Sequence, residues 1–289
     1  MIPAMHIIAW SSVAPWAAPR QVEQDLIISR AVVELFSDEF LKKELRFRGG
    51  TALHKLHFPR PLRYSEDIDL VRMTAGGIGP VLDRVRRVLG WLGEASYEST
   101  HVAPKLHFRT DAQDGRAELR LKVEINTRER EIHDAPIEIG HTVDNPWFTG
   151  HAAIPTYSPE EMLTTKLRAL LQRNKGRDLF DLAHGLAVFE ALDTGHVVDL
   201  FVRYLDQVDQ AISRSEAESR MFAKLAKPGF VQDIRPLLAV DEAAALTDDW
   251  VLAAFSEVFG RLIERLPGER WTRTDEMAER FGVVLGSGG

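Results

Sequence analysis

The chain has 289 residues, 45% of them hydrophobic, and a formal net charge of −7. That length can bury a large core and predicts two domains, while the acidic balance argues against a general nucleic-acid binder, which shows a basic domain. Cysteine is absent, which excludes a disulfide framework and thiolate chemistry and suits a reducing cytoplasm.

The first nineteen residues contain no Lys, Arg, Asp or Glu. The segment resembles an export signal only superficially. It lacks a basic n-region, and Pro3, Pro15 and Pro19 interrupt any apolar helix, so it reads as an N-terminal arm. A helix is predicted over about 19–43, with Leu26 and Val33 facing inward. Mixed strands and helices follow to about 157, with loops at 76–80 and 144–150. There are no repeats, and no other segment approaches the length of a membrane span.

Within this region, Gly49-Gly50-Thr51 is followed by Asp67 and Asp69, spaced by one residue. In a strand, residues i and i+2 share a face, so the two carboxylates project together and Ile68 and Leu70 point the other way. Ser65 would share the aspartate face in the same register. Hard oxygen donors converging from one strand suit Mg²⁺, which proteins hold through one or two carboxylates plus substrate phosphates. A glycine pair lets backbone N–H groups approach those phosphates, and Thr51 adds a hydroxyl. Separately, D-x-D is common on solvated strand ends and a glycine pair is usually a turn. Together and in this order they read as a metal-dependent phosphoryl or nucleotidyl transfer site.

Residues 117–127 alternate strictly, with Leu119, Leu121, Val123 and Ile125 on one face and Glu118, Arg120, Lys122, Glu124 and Asn126 on the other. This predicts a half-buried strand, joined to residues 105–110 through a turn at 111–115. Two readings of Glu124 stay open. It is the outer face of an amphipathic strand or, if that strand lies beside Asp67 and Asp69, a third carboxylate for a two-metal centre.

From Ser158 onward the sequence reads as helices at 159–173, 178–192, about 195–210, 215–226 and 241–265. Ser158, Pro159 and Glu161 form a helix-start signature. Lys166 lies beside the Leu163/Leu167/Leu170/Leu171 stripe, where a long stem can bury and its ammonium emerge. Lys166, Arg168, Arg173, Lys175 and Arg177 form a cationic run without an acid. With Arg60, Arg63 and Arg72 it is a candidate strip for RNA phosphates, whose affinity falls steeply with salt. Arg177 and Asp181 are four apart and can pair. His54, His57 and His184 read as structural. The terminal G-S-G-G reads as disordered.

Taken in order, residues 21–31, F-R-G-G-T-A-L-H-K-L, R-Y-S-E-D-I-D-L, Y-S-P-E-E-M-L-T-T-K-L-R-A-L-L-Q-R and K-G-R-D-L-F-D-L resemble the polymerase-beta-type nucleotidyltransferases. The narrower resemblance, over roughly residues 20–190, is to the AbiEii/AbiGii-type toxins of bacterial toxin–antitoxin systems, which include the tRNA-modifying MenT-type enzymes. It implies an α/β polymerase-beta-like nucleotidyltransferase domain with a helical arm over 1–157, and a helical C-terminal domain over 158–289 that contributes phosphate-binding residues. It further implies a cytoplasmic enzyme that moves NMP from an NTP to the 3′ end of tRNA, blocking aminoacylation, and a cognate antitoxin.

In that frame two Mg²⁺ ions sit on Asp67, Asp69 and Glu124, and Gly49, Gly50, Thr51, Ser65 and Lys166 bind the nucleotide. Asp178 is an active-site residue and Asp181 a supporting one. Arg63, Arg168, Arg173, Lys175 and Arg177 face RNA. Ser65 is also expected to be a regulatory phospho-acceptor, against the plain reading of a hydroxyl that satisfies nearby backbone. The alternatives are transfer to a protein hydroxyl or a small molecule, and a catalytically silent nucleotide-binding module.

Overall fold

The computed structural model describes residues 2–100, 103–130 and 133–285; the terminal 286–289, expected to be disordered, lie outside them. The chain divides into two compact units, Met1–Ser158 with Leu238–Val240, and Pro159–Leu237 with Asp241–Gly289.

The first unit is built on a mixed sheet of seven strands: β1 (Leu45–Arg48), β2 (Asp67–Arg72), β3 (Ser96–Glu98), β4 (Lys105–Asp111), β5 (Glu118–Asn126), β6 (Ile137–Asn145) and β7 (Phe148–Thr156), in the spatial order β3-β4-β5-β2-β1-β7-β6. The predicted hairpin over 105–127 is β4–β5, closed by the Ala112 N–H on the Ala117 carbonyl at 2.9 Å. Its alternation works as expected: Leu121, Val123 and Ile125 are buried while Glu118 and Arg120 are exposed. Residues 144–150, expected to be a loop, are instead the tip of a second hairpin. The β6–β7 ladder continues to Asn145 opposite Phe148 and leaves only two residues to turn.

Helix α1 (Ala4–Trp10) and helix α2 (Pro19–Ser37) form the arm and the main cover of the sheet. Leu26, Ile28 and Leu35 of α2 are fully enclosed, each such side chain stabilising the fold by about 1.5–3 kcal/mol. Buried Asp25 accepts hydrogen bonds from Trp10 Nε1 (2.9 Å), Trp16 Nε1 (3.3 Å) and Lys55 Nζ (2.9 Å), which pins the arm to the unit. The single helix predicted over 19–43 is two. Asp38 leaves the helical region (φ −83, ψ 114) and caps α3 (Glu39–Glu44) by accepting from the Phe40 and Leu41 N–H groups. A competing local hydrogen bond from an Asp side chain is sufficient to restart a helix there. Helices α4 (Gly49–Ala52) and α5 (Gly79–Val88) complete this part, α4 running directly into a π-helical turn at Leu53–His57. Leu238–Val240 return to this unit, where Ala239 N–H donates to the Leu62 carbonyl at 3.2 Å.

The second unit is helical: α6 (Pro159–Gln172), α7 (Gly176–Val188), α8 (Thr194–Asp206), α9 (Arg214–Leu225), α10 (Val240–Ala245, whose first residue belongs to the sheet unit), α11 (Asp248–Arg261) and α12 (Thr274–Phe281). The helix predicted over 241–265 is broken because Thr247 caps α11, accepting from the Trp250 N–H at 3.2 Å. Phe222, Phe255 and Phe259 form its aromatic core, with ring centroids 5.3–5.5 Å apart. No helix among the described residues is long and apolar enough to cross a membrane.

Candidate active site

Strand β2 is the central strand, and its pleat places Asp67 and Asp69 on one face while Ile68 and Leu70 are buried on the other. Its neighbours complete that face. Strand β5 runs parallel to β2, with Asp67 opposite Lys122 and Asp69 opposite Glu124. Strand β1 runs antiparallel on the other side, with Arg48 opposite Asp69. Three carboxylates from two strands therefore share one surface, flanked by two cations.

Those cations were not among the residues singled out from the sequence. Lys122 Nζ lies 2.9 Å from Asp67 Oδ2 and 3.2 Å from Glu124 Oε2. Burial alone would lower its pKa, but the hydrogen bond it donates to Asp67 and the charges of Asp67, Glu124 and Asp69 outweigh it and hold the ammonium above the usual lysine value. Arg48 donates to Glu129 Oε2 at 3.1 Å, and Asn126 donates to the same oxygen at 3.2 Å. Burial, then the neighbouring Asp67 charge, pushes the Asp69 carboxyl above the ordinary range, against the opposing pull of Arg48 and Lys122. Lys122 had a sequence signal: it stands two residues before Glu124 and so shares its face.

The glycine turn is built around these groups. Gly49 has φ +81, a conformation that L side chains rarely adopt, and a Cβ there would overlap the Asp69 carboxylate. At Gly50 a Cβ would fall 2.5 Å from Arg63 Nη2 and 3.2 Å from Ser65 Oγ. The buried Thr51 hydroxyl donates to the Asp67 carbonyl at 2.5 Å and accepts from Ser65 Oγ at 2.8 Å. Ser65 was expected in the aspartate strand; β2 begins only at Asp67, and Ser65 belongs to the segment packed on the turn. Arg63 and Arg72, expected on an exposed strip, are 2% and 6% exposed. Arg72 instead donates to the Gly76 carbonyl at 2.7 Å and pairs with Glu44.

In the helical unit, Lys166 is 5% exposed and its ammonium does not emerge as its place beside the leucine stripe suggested. Lys166 Nζ lies 2.7 Å from Asp181 Oδ2 and 4.0 Å from Asp178 Oδ1, both carboxylates fully buried on α7. Asp181 thus takes Lys166 in place of the Arg177 partner read from their spacing. Arg173 clamps Asp178 through two 2.7 Å bonds from Nε and Nη2, a bidentate geometry that fixes both groups. Arg168 sits over the Tyr204 ring at 5.9 Å. Lys175 is exposed and Arg177 half-buried. His54 accepts from the Leu62 N–H, His57 bonds Thr156 and His184 stacks on Phe180, the structural roles expected of them.

The family described as "Nucleotidyl transferase AbiEii toxin, Type IV TA system" matches residues 30–261. The chain belongs to the AbiEii toxin family. As an AbiEii protein it is a nucleotidyltransferase and the toxin of a type IV toxin–antitoxin system, with an antitoxin as its counterpart. Among solved structures it is similar to MenT4, a nucleotidyltransferase toxin from Mycobacterium tuberculosis, at 17% identity and a TM-score of 0.61, covering 99% of this chain and 100% of that one. It is also similar to JHP933 from Helicobacter pylori, at 16% identity and a TM-score of 0.49, covering 92% and 97%. No curated protein matches the chain. At these identities the MenT4 likeness shows the α/β nucleotidyltransferase fold alone.

Nucleotidyl transfer in such folds implies a divalent ion, and the donor set of this AbiEii toxin fits one. Asp67, Asp69 and Glu124 are hard oxygen donors on one face, and Lys122 already occupies part of that face as a cation. Among the described residues, however, no three such side chains are gathered around a single point.

Proposed function

We propose that this AbiEii toxin transfers a nucleoside monophosphate from an NTP to the 3′ end of tRNA, blocking aminoacylation. What supports the reading most is the parallel register that sets Glu124 beside Asp69, with Asp67 two residues away on the same face. Asp67, Asp69 and Glu124 would hold two Mg²⁺ ions, which when bound neutralise the triphosphate and lower the pKa of an attacking hydroxyl. Gly49 and Gly50 bring backbone N–H groups close to phosphate, and Thr51 and Ser65 hold that turn against the Asp67 backbone. Glu124 favours loss of the proton from the acceptor hydroxyl by accepting it on its carboxylate. The hydroxyl oxygen then bonds to the α-phosphorus as the bond from that phosphorus to the bridging oxygen of the β-phosphate breaks and pyrophosphate leaves. On the helical unit, Lys166 is the residue assigned to nucleotide phosphate by the family pattern; its ammonium is buried against Asp181 and Asp178 and must leave that pairing to meet a phosphate. Lys175 and Arg177, with Arg168 and Arg173, supply charge for RNA, whereas Arg63, buried beside Gly50, supports the turn.

The test is incubation with labelled NTPs, Mg²⁺ and total tRNA. Label on the RNA 3′ end supports the reading. Label on a protein or small-molecule acceptor, or nucleotide binding without turnover, replaces it with one of the two alternatives.

A further inference from the structure

We propose that Lys122 is the resident counter-cation of the acidic centre: it ties Asp67 to Glu124 when no divalent ion is bound, and an entering ion must displace it. The proposal rests on the reading of Asp67, Asp69 and Glu124 as ion-holding residues. Lys122 stands opposite Asp67 in the β2–β5 register and its ammonium lies between two carboxylates from different strands, at 2.9 and 3.2 Å. An ammonium and a divalent ion on the same two oxygens would stand a few ångströms apart with like charge, so the two occupancies exclude each other. The exchange is physically open. The side chains of Lys122, Asp67 and Glu124 are 28%, 35% and 29% exposed, and a flexible four-carbon stem lets the ammonium swing into water.

Two consequences follow. Without an ion, Lys122 offsets the repulsion between Asp67 and Glu124, the two carboxylates it bridges, so β2 and β5 keep their arrangement. With an ion arriving, the two Lys122 bonds are lost, which weakens ion affinity and sets the concentration at which the centre fills.

The experiment titrates Mn²⁺ by electron paramagnetic resonance into the metal-free full chain, its Lys122→Met and Lys122→Arg variants, and each combined with Asp69→Asn. Thermal melts with and without Mn²⁺ run alongside. Lys122→Met keeps the apolar stem and removes only the charge. It should bind Mn²⁺ roughly five- to tenfold more tightly than wild type, as expected for the loss of two partly exposed charge pairs. Its melting temperature should fall without metal and recover with Mn²⁺, whereas Lys122→Arg should stay near wild type. Equal or weaker Mn²⁺ binding by Lys122→Met overturns the proposal while leaving the ion site intact, because Asp69→Asn still abolishes Mn²⁺ binding. Mn²⁺ binding that is insensitive to Asp69→Asn in every background overturns the ion-site reading, and this proposal with it.

Discussion

Lys166 Nζ lies 2.7 Å from Asp181 Oδ2, a contact between α6 and α7 in which both side chains are buried. Removing Lys166 takes the nearest ammonium away from two buried carboxylates. Lys166→Ala should therefore destabilise the protein by about 3–5 kcal/mol. The double variant Lys166→Met/Asp181→Asn, in which the pair disappears together, should recover most of that loss in urea titrations. If Lys166 contacts nucleotide phosphate, the double variant still binds NTP more weakly than wild type by equilibrium dialysis. Unchanged affinity removes Lys166 from the nucleotide site.

Asp69 sits among like charges, with Asp67 on its own strand and Glu124 opposite. Asp69→Asn should lower transfer by more than about 10²-fold, since even groups that only support a metal ligand are worth 10–100-fold. Its melting temperature should hold or rise, because a repulsive charge is gone. A folded variant with wild-type turnover would end the assignment of Asp69 to the reacting centre.

Gly49 combines φ +81 with a Cβ position already filled by the Asp69 carboxylate. Gly49→Ala should cost about 2–4 kcal/mol through backbone strain and overpacking, and displace Asp69 enough to suppress activity. Gly115, whose positive φ opens onto empty space, is the control: Gly115→Ala should cost only about 1 kcal/mol and leave transfer intact.

His57 and His141 are both pushed down to about 4, each first by burial and His141 also by nearby Lys55. Their folded values lie below the usual 6.5, so the unfolded chain binds more protons in between. Their contribution is full above pH 6.5 and is lost as pH falls towards 4. Between pH 7.5 and 5 each should remove roughly 1–2 kcal/mol of unfolding free energy. Chemical denaturation across that range should show the slope, and His57→Gln should flatten part of it.

Ser65 Oγ lies 2.8 Å from the Thr51 hydroxyl, which in turn bonds the Asp67 carbonyl. A phosphate there would bring about −1.5 to −2 charges beside three carboxylates. Ser65→Asp should be inactive in tRNA transfer while Ser65→Ala retains activity. Wild-type turnover by the aspartate variant removes electrostatic silencing at this position.

Much of the molecule was legible before any coordinates. Alternation over 117–127 specified a strand and its buried face, the spacing of Asp67 and Asp69 put them on one side, and the leucine stripe after Pro159 defined α6. These patterns are local, set by side-chain periodicity against one buried surface. Where the first long helix stops was not legible, because Asp38 suits a helix flank as well as a cap until its backbone leaves the helical region.

Pairing was beyond the sequence altogether. That β5 lies parallel to β2, bringing Glu124 to Asp69 and Lys122 to Asp67, depends on which strands share a core, and no periodicity encodes a partner about fifty-five residues away. The same holds for Lys166. Its place at the edge of an apolar stripe admits an ammonium in water or one in the interior, and the choice fell to Asp178 and Asp181, two buried carboxylates on another helix whose charges require a cation beside them.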